Sequence, residues 1–430
     1  MKNDLPKSIN ILGFLAFLLF PIVLFFLIVS FHSSLLIGPA LQVIVASLFG
    51  MICGYILIYG YLTKWFKKAF KNAILIALIV ASFIGSLTFG LMLYGPIATF
   101  RSWLIITAMD TMEHNYLCKW FYSDKEIAKA YGDNYIIELD DDVDQSLVDT
   151  AKRALANKVL ADLKTTIDTK TNGILVNRDE YAIISVTVNN QKGYVILCYD
   201  PSKVKVGHTN KSVGQYVTAQ AERYGALLAV NGGGFHDPGG HSSGGTPLGL
   251  TMADGEVISR DKSSSRKGGG GFVGLTYDNK LVLSRNITAS EAKAQGFRDG
   301  VTWGPFLVVN GKSLYVKGNG GYGTSARTAM GQREDGTIIF AVVDSNYNRT
   351  RGATMKHLAD LMMDFGAVNA ANLDGGTSSV VVAPAEIARQ ANTKASYDNS
   401  KSSYMIINEP VDSSFTRKTR PIADCWLLMP

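Results

Sequence analysis

The stretch Asn372-Leu373-Asp374-Gly375-Gly376-Thr377-Ser378-Ser379 constrains the fold more than any other. It holds one carboxylate, two adjacent glycines and three hydroxyls. Before it, Leu358, Leu361, Met362 and Phe365 recur at helical spacing, and Gly366 is placed to end the helix. After it comes the β-branched run Val380 to Val382. The pattern predicts helix, short strand, glycine turn, strand. Glycines admit positive φ and close approach of a ligand, and their N–H groups, with the hydroxyls, suit an anion. A tight Asp-Gly hairpin turn fits the octapeptide by itself equally well.

The chain has 430 residues, enough for a large domain and something more. The remainder lies at the front. Ile9 to Phe31, Leu35 to Leu62 and Ala73 to Ile97 are apolar and long enough to cross a bilayer as helices. Three successive spans, with no small-residue cleavage site before Ser30, argue against a cleaved signal peptide. The loop from Lys64 to Lys71 carries four lysines, whereas Phe31 to Ser34 carries neither Lys nor Arg. The positive-inside rule then predicts a multi-pass cell-membrane protein with a cytoplasmic N-terminus and everything after Arg101 outside. The net charge of +6 partly reflects this anchor and implies no nucleic-acid partner. Cys118, Cys198 and Cys425 are too scattered for a disulfide scaffold; one bridge or three free thiols fit equally.

The expected organisation is an anchor over 1–100, a juxtamembrane helix and stalk over 101–169, and a catalytic domain over 170–430. Trp103, Met109, Met112, Tyr116, Trp120 and Phe121 suit a membrane interface or an ordinary amphipathic helix. The cluster Asp140-Asp141-Asp142 reads as a solvated turn or helix start more readily than as a cation site. From about Gly173, β-like runs follow one another: Tyr181 to Val188, Gly193 to Tyr199, Leu227 to Val230, Phe272 to Tyr277, Phe306 to Val309 and Thr337 to Val343. Helical patterns fall near Ser212 to Tyr224, Ala289 to Ala294 and Met355 to Phe365. With no regular βαβ alternation, the fold class is α+β, a mixed domain behind a three-helix transmembrane anchor.

Four stretches repeat one design, a strand followed by small and polar residues. They are Asn231 to Phe235, Trp303 to Phe306, Arg327 to Gly331 with the strand ending at Asp344, and the octapeptide. In this order the motifs resemble the phosphodiester glycosidase family, whose pattern is Asn-Gly-Gly-Tyr/Phe-Phe, Gly-Pro, Arg-Thr-Ala-Ile-Gly, a strand ending in Asp, and Asn-Leu-Asp-Gly-Gly-Gly-Ser-Ser. The match covers about Gly173 to Pro430, including Arg420-Pro421 before a last strand. Gly234 and Thr377 depart from the pattern, and neither removes a charge.

The resemblance implies cleavage of sugar-1-phosphodiesters, in exopolysaccharide or cell-wall polymer. The residue chemistry fits. Arg327 presents a planar fork of donors for phosphate oxygens. Asp374 suits the oxocarbenium character that builds at an anomeric carbon, with Asp344 as partner acid, base or orienting group. Candidate substrate-binding residues are Asn231, Gly232, Gly233, Gly304, Thr328, Asn372, Gly375, Gly376, Thr377 and Ser378. Asn231 fits a sugar hydroxyl or a locked turn equally. No cofactor is expected. His236, Asp237 and His241 lack an evident further ligand by spacing, so a metal there is the lesser reading. A non-catalytic polysaccharide-binding or assembly module, and a transferase on the same diesters, are the competing readings. Expected partners are a carbohydrate phosphodiester or polysaccharide and the lipid bilayer; the oligomeric state is open.

Overall fold

The computed structural model describes Leu93 and residues 97–110, 118–119, 121–151, 154–237, 244–260, 271–346, 351–411 and 419–430. The described residues up to Asp133 form one compact unit, and Asn134–Pro430 form a second.

The first unit contains the helices Ala98–Asp110 and Asp124–Gly132. Ser123 and Glu126 close a reciprocal cap on the second helix. Ile105, Ile106, Cys118, Tyr122 and Ala130 bury their side chains together. Ala98–Asp110 has 13 residues, well short of the ~20 that a spanning helix needs. Among the described residues no helix is long and apolar enough to cross a membrane. This corrects the expected three-helix transmembrane anchor and the multi-pass localisation built on it. Of the three apolar segments, only Leu93 and Ile97 are among the described residues.

The second unit is mostly sheet. Its largest sheet has eight strands in the order Lys312–Ser313, Phe306–Val309, Ala367–Asn372, Arg327–Arg333, Ile338–Val343, Gln191–Cys198, Tyr181–Val188, Thr171–Asn177. A five-stranded sheet runs Tyr404–Ile406, Val381–Pro384, Leu228–Asn231, Asp424–Leu428, Val204–His208. A second five-stranded sheet runs Leu281–Arg285, Gly271–Thr276, Phe297–Trp303, Leu250–Ala253, Glu256–Arg260. Each pairing that touches the site is antiparallel.

Side chains alternate between faces along each strand, and here both faces are covered. Tyr181 and Ile183 enter a central core that Val230, Trp426, Val273 and Val301 reach from the other two sheets. Ala182, Ile184 and Val186 enter an outer core under the helix Met355–Asp364. That helix starts at Thr354, whose hydroxyl accepts the His357 N–H while His357 Nδ1 accepts the Thr354 N–H, so His357 is a helix cap.

The polar stretch expected as a stalk is packed along this unit from Asn134 onward. Tyr135–Ile137 pairs with Tyr315–Lys317. Glu138 Oε2 accepts the Phe306 N–H at 2.8 Å, and the Asp149 N–H donates to Glu334 O. Val159 and Leu163, on the short helices that follow, are buried in the outer core. Asp140 faces Arg285 and Asp141 faces Lys312, so these two acids meet cations on the same surface. Cys118, Cys198 and Cys425 are buried free thiols.

Candidate active site

Five segments meet at the ends of strands from all three sheets. They are Asn231–Gly234, Trp303–Pro305, Arg327–Thr328, the Asn372 to Ser379 turn and Asp424. Asn231 ties three of them together. Its Nδ2 donates to Asp374 O at 2.7 Å. Its Oδ1 accepts the Thr328 hydroxyl at 2.8 Å and the Val380 N–H at 3.1 Å. Asn231 is fully buried, so its amide locks the turn rather than meeting a sugar hydroxyl. Thr328 is equally buried, and its carbonyl accepts the Leu373 N–H. These bonds, with the Asp374 N–H donated to Gly232 O at 3.1 Å, fix the Asp374 backbone on both sides. Asp374, Gly375, Gly376 and Thr377 are partly exposed at this rim, whereas Ser378 is buried.

The glycines act differently from the anion cradle expected of them. The Gly232 N–H donates to Asp424 O, and the Gly233 N–H to Asp424 Oδ1 at 2.8 Å. The Gly375 N–H turns back to Asp374 Oδ1, and the Gly376 N–H donates to Ala326 O. All four donors are spent within the chain. What these positions share is tight clearance. A Cβ at Gly232 would sit 2.3 Å from Asp424 Oδ1, and one at Gly234 would sit 1.8 Å from Trp303 Cζ3. Gly376 has φ +63°, a left-handed turn that favours glycine. Gly232→Ala is therefore expected to lower stability by about 1–3 kcal/mol, the scale of overpacking against a rigid neighbour. Chemical denaturation would measure it, and an unchanged midpoint would remove the steric reason for glycine here.

Asp424 is the residue that the motif reading missed. It opens the last strand and is buried, with Oδ2 accepting the Thr251 hydroxyl at 3.2 Å. Burial pushes its carboxyl up to about 7, and the nearby Asp374 charge adds to the rise. One signal was present in the sequence: a lone carboxylate opening the otherwise apolar run Asp424-Cys425-Trp426-Leu427-Leu428.

Arg327 is buried beside the turn. Its Nε donates to Ala353 O and its Nη2 to Tyr322 O. A Cβ on Gly375 would lie 3.6 Å from its Nη1, so the guanidinium flanks the residue after Asp374. Asp344 lies elsewhere. Arg327 pairs with Val343 across the ladder and shares its face, which puts Asp344, one residue on, on the opposite face. There its carboxylate accepts Asn408 Nδ2 at 2.8 Å and the Glu409 N–H at 3.0 Å. Burial pushes Asp344 up to about 6. Asn408 also donates to Ser379 O, so Asp344 reaches the octapeptide only through this amide.

Gly304 and Asn372 join the rim to the third sheet. Asn372 Nδ2 donates to Gly304 O at 2.8 Å, and its N–H donates to Pro305 O. Asp237 pairs with Arg420 at 2.7 Å, whose guanidinium stacks on Phe235. His236 is exposed, and His241 lies outside the described residues. Among the described residues no group of three or more His, Cys, Asp or Glu is placed to hold a metal ion.

Residues 224–429 match the family model described as phosphodiester glycosidase. The SPbeta prophage-derived uncharacterized protein YomE of Bacillus subtilis strain 168 is 29% identical over 197 residues, covering 42% of this chain and 27% of that protein's length. The catalytic domain of zebrafish N-acetylglucosamine-1-phosphodiester α-N-acetylglucosaminidase, auto-inhibited by its pro-peptide, aligns with 20% identity and a TM-score of 0.44. That alignment covers 68% of this chain and all of the zebrafish domain. The matched region holds Asn231, Arg327, Asp374 and Asp424, and over these residues the chain is similar to the phosphodiester glycosidase family.

Proposed function

We propose that this domain hydrolyses glycosyl-1-phosphodiesters at the bond between the anomeric carbon and the phosphate oxygen. The observation that supports it most is a partly exposed residue, Asp374, on a backbone clamped from both sides, with the Arg327 guanidinium beside the next residue, Gly375. In this reading Asp374 stabilises the oxocarbenium character of the anomeric carbon as the bond lengthens. Arg327 balances the charge that gathers on the departing phosphate. The group that departs is a phosphate monoester, a good leaving group, and water supplies the new anomeric hydroxyl, so a strong general acid is not required. Asp424 bears on the electrostatics. Well below pH 7 burial keeps it largely neutral, so there the site offers the anionic substrate one carboxylate charge instead of two. Asp344 serves here as a support for the Asn408–Ser379 contact. The substrate's polymer context, exopolysaccharide or cell wall, belongs to the same proposal.

The test is to incubate the purified protein with a panel of sugar-1-phosphodiesters and assay free reducing sugar. Release from at least one member is expected; binding without release would favour a polysaccharide-binding module. Arg327→Lys keeps the charge and loses the planar fork. It is expected to lower kcat/KM about 10- to 100-fold, the worth of one or two hydrogen bonds to a charged group. Circular dichroism must show a native fold, because Arg327 also holds two carbonyls. A folded variant with wild-type kcat/KM would remove Arg327 from phosphate binding.

A further inference from the structure

We infer that the indole of Trp303 forms the sugar-binding face of this site, a deepening that rests on the proposed reaction. Trp303 ends the strand Phe297–Trp303, opposite Gly271, and is partly exposed where Val301 and Thr302 before it are buried. Its six-membered ring lies on Gly234. A Cβ there would fall 1.8 Å from Cζ3, 2.3 Å from Cε3 and 2.7 Å from Cη2, so the indole takes the space of any side chain at 234.

Two independent ties link the segments around this ring to the segment that carries Asp374. On one side, Gly234 follows Gly232 by two residues, and Gly232 O accepts the Asp374 N–H. On the other, Gly304, next to Trp303, accepts Asn372 Nδ2 at 2.8 Å, and Asn372 is two residues before Asp374. The Leu248 N–H donates to Gly234 O, which fixes the floor under the ring. An indole over Gly234, on segments tied to the one that carries the Asp374 carboxylate, matches the two faces of a pyranose. The C–H face of the sugar packs on an aromatic plane, while its anomeric carbon faces the charge. Trp303 is then a specificity-determining residue that binds the glycosyl half of the substrate, and Arg327 serves the phosphate half.

The experiment separates the halves by binding and by kinetics. Trp303→Ala and Trp303→Phe are compared with wild type by calorimetric titration with a sugar 1-phosphate and with inorganic phosphate, and by KM for any diester the wild type cleaves. Trp303→Ala is expected to weaken sugar 1-phosphate binding about 10-fold, the scale of one lost aromatic stack. Inorganic phosphate affinity is expected to stay within twofold of wild type. Trp303→Phe is expected to recover part of the loss, and it remains the test if the alanine variant does not fold. Equal weakening for both probes, or none for the sugar 1-phosphate, would overturn the inference. Because binding is read without turnover, a wild type that binds sugar 1-phosphate and cleaves nothing would defeat the proposed reaction and leave Trp303 still tested.

Discussion

Asp374→Asn is expected to lower kcat roughly 10³-fold on any sugar-1-phosphodiester the wild type cleaves, the scale of losing one catalytic group. The substitution keeps the shape of the side chain. An asparagine oxygen still accepts the Gly375 N–H, and the backbone ties to Asn231 and Gly232 do not involve the carboxylate. What it removes is the negative charge that the proposed reaction sets against the anomeric carbon. A charge that matters more in the transition state than in the ground state appears in kcat, with binding of an unreactive analogue nearly intact. Steady-state kinetics and a titration with that analogue measure the two separately. A folded variant with near-normal kcat would take Asp374 out of the chemistry and bring Asp237, two residues after the Asn231–Phe235 stretch, forward as the next candidate.

Asp424 carries the second large effect, and it is a pH effect. A carboxyl in an unfolded chain titrates near 3.9, whereas burial pushes Asp424 in the folded chain up to about 7. Between about pH 4 and 7 the folded state holds a proton that the unfolded state has released. The contribution of Asp424 to stability is therefore full below pH 4, falls as pH rises through that window, and stays lost above 7. A shift of this size corresponds to about 4 kcal/mol. Asp344, pushed up to about 6, acts in the same direction over a narrower range. Asp424→Asn mimics the protonated form and keeps an oxygen for the Gly233 N–H. Wild type minus variant should thus show a stability difference that grows against the wild type between about pH 4 and 7 and then levels off, measured by urea unfolding at each pH. Parallel curves would mean that Asp424 is ionised throughout. The same substitution should flatten any fall in substrate affinity above pH 7, because it prevents a second negative charge from forming near Asp374.

Much of the sheet domain was legible from residue patterns. Tyr181–Val188, Phe306–Val309 and Ala289–Ala294 stand where apolar runs and helical spacing placed them. Local rules sufficed because each of these elements carries its own apolar pattern. What depended on distant partners was not legible. The N–H groups of Gly232 and Gly233 looked available because their acceptor, Asp424, lies at the far end of the chain. Asp344 looked like a partner of Asp374 because both follow strands, and only the Arg327–Val343 register reveals that it faces away from Arg327. The polar stretch within 101–169 read as a stalk, and Asp140-Asp141-Asp142 in it as a solvated turn or helix start. Yet the Glu138 carboxylate accepts the Phe306 N–H, and the Asp144 backbone N–H donates to Asn310 Oδ1, contacts that composition does not distinguish from exposure.

The strand Asp424–Leu428 lies between Leu228–Asn231 and Val204–His208. It is an interior strand, and through Asp424 it also braces Gly232 and Gly233. During synthesis, residues 204–231 leave the ribosome long before their central neighbour exists. That sheet must wait with an unfilled gap, and closing it is a contact of very high sequence separation, the kind that slows folding. The nascent chain therefore holds the Asn231 and Asp374 segments before it holds the strand that seats Asp424 beneath them. A chain released before residue 424 lacks that strand, and with it both the closed sheet and the carboxylate that braces Gly232 and Gly233.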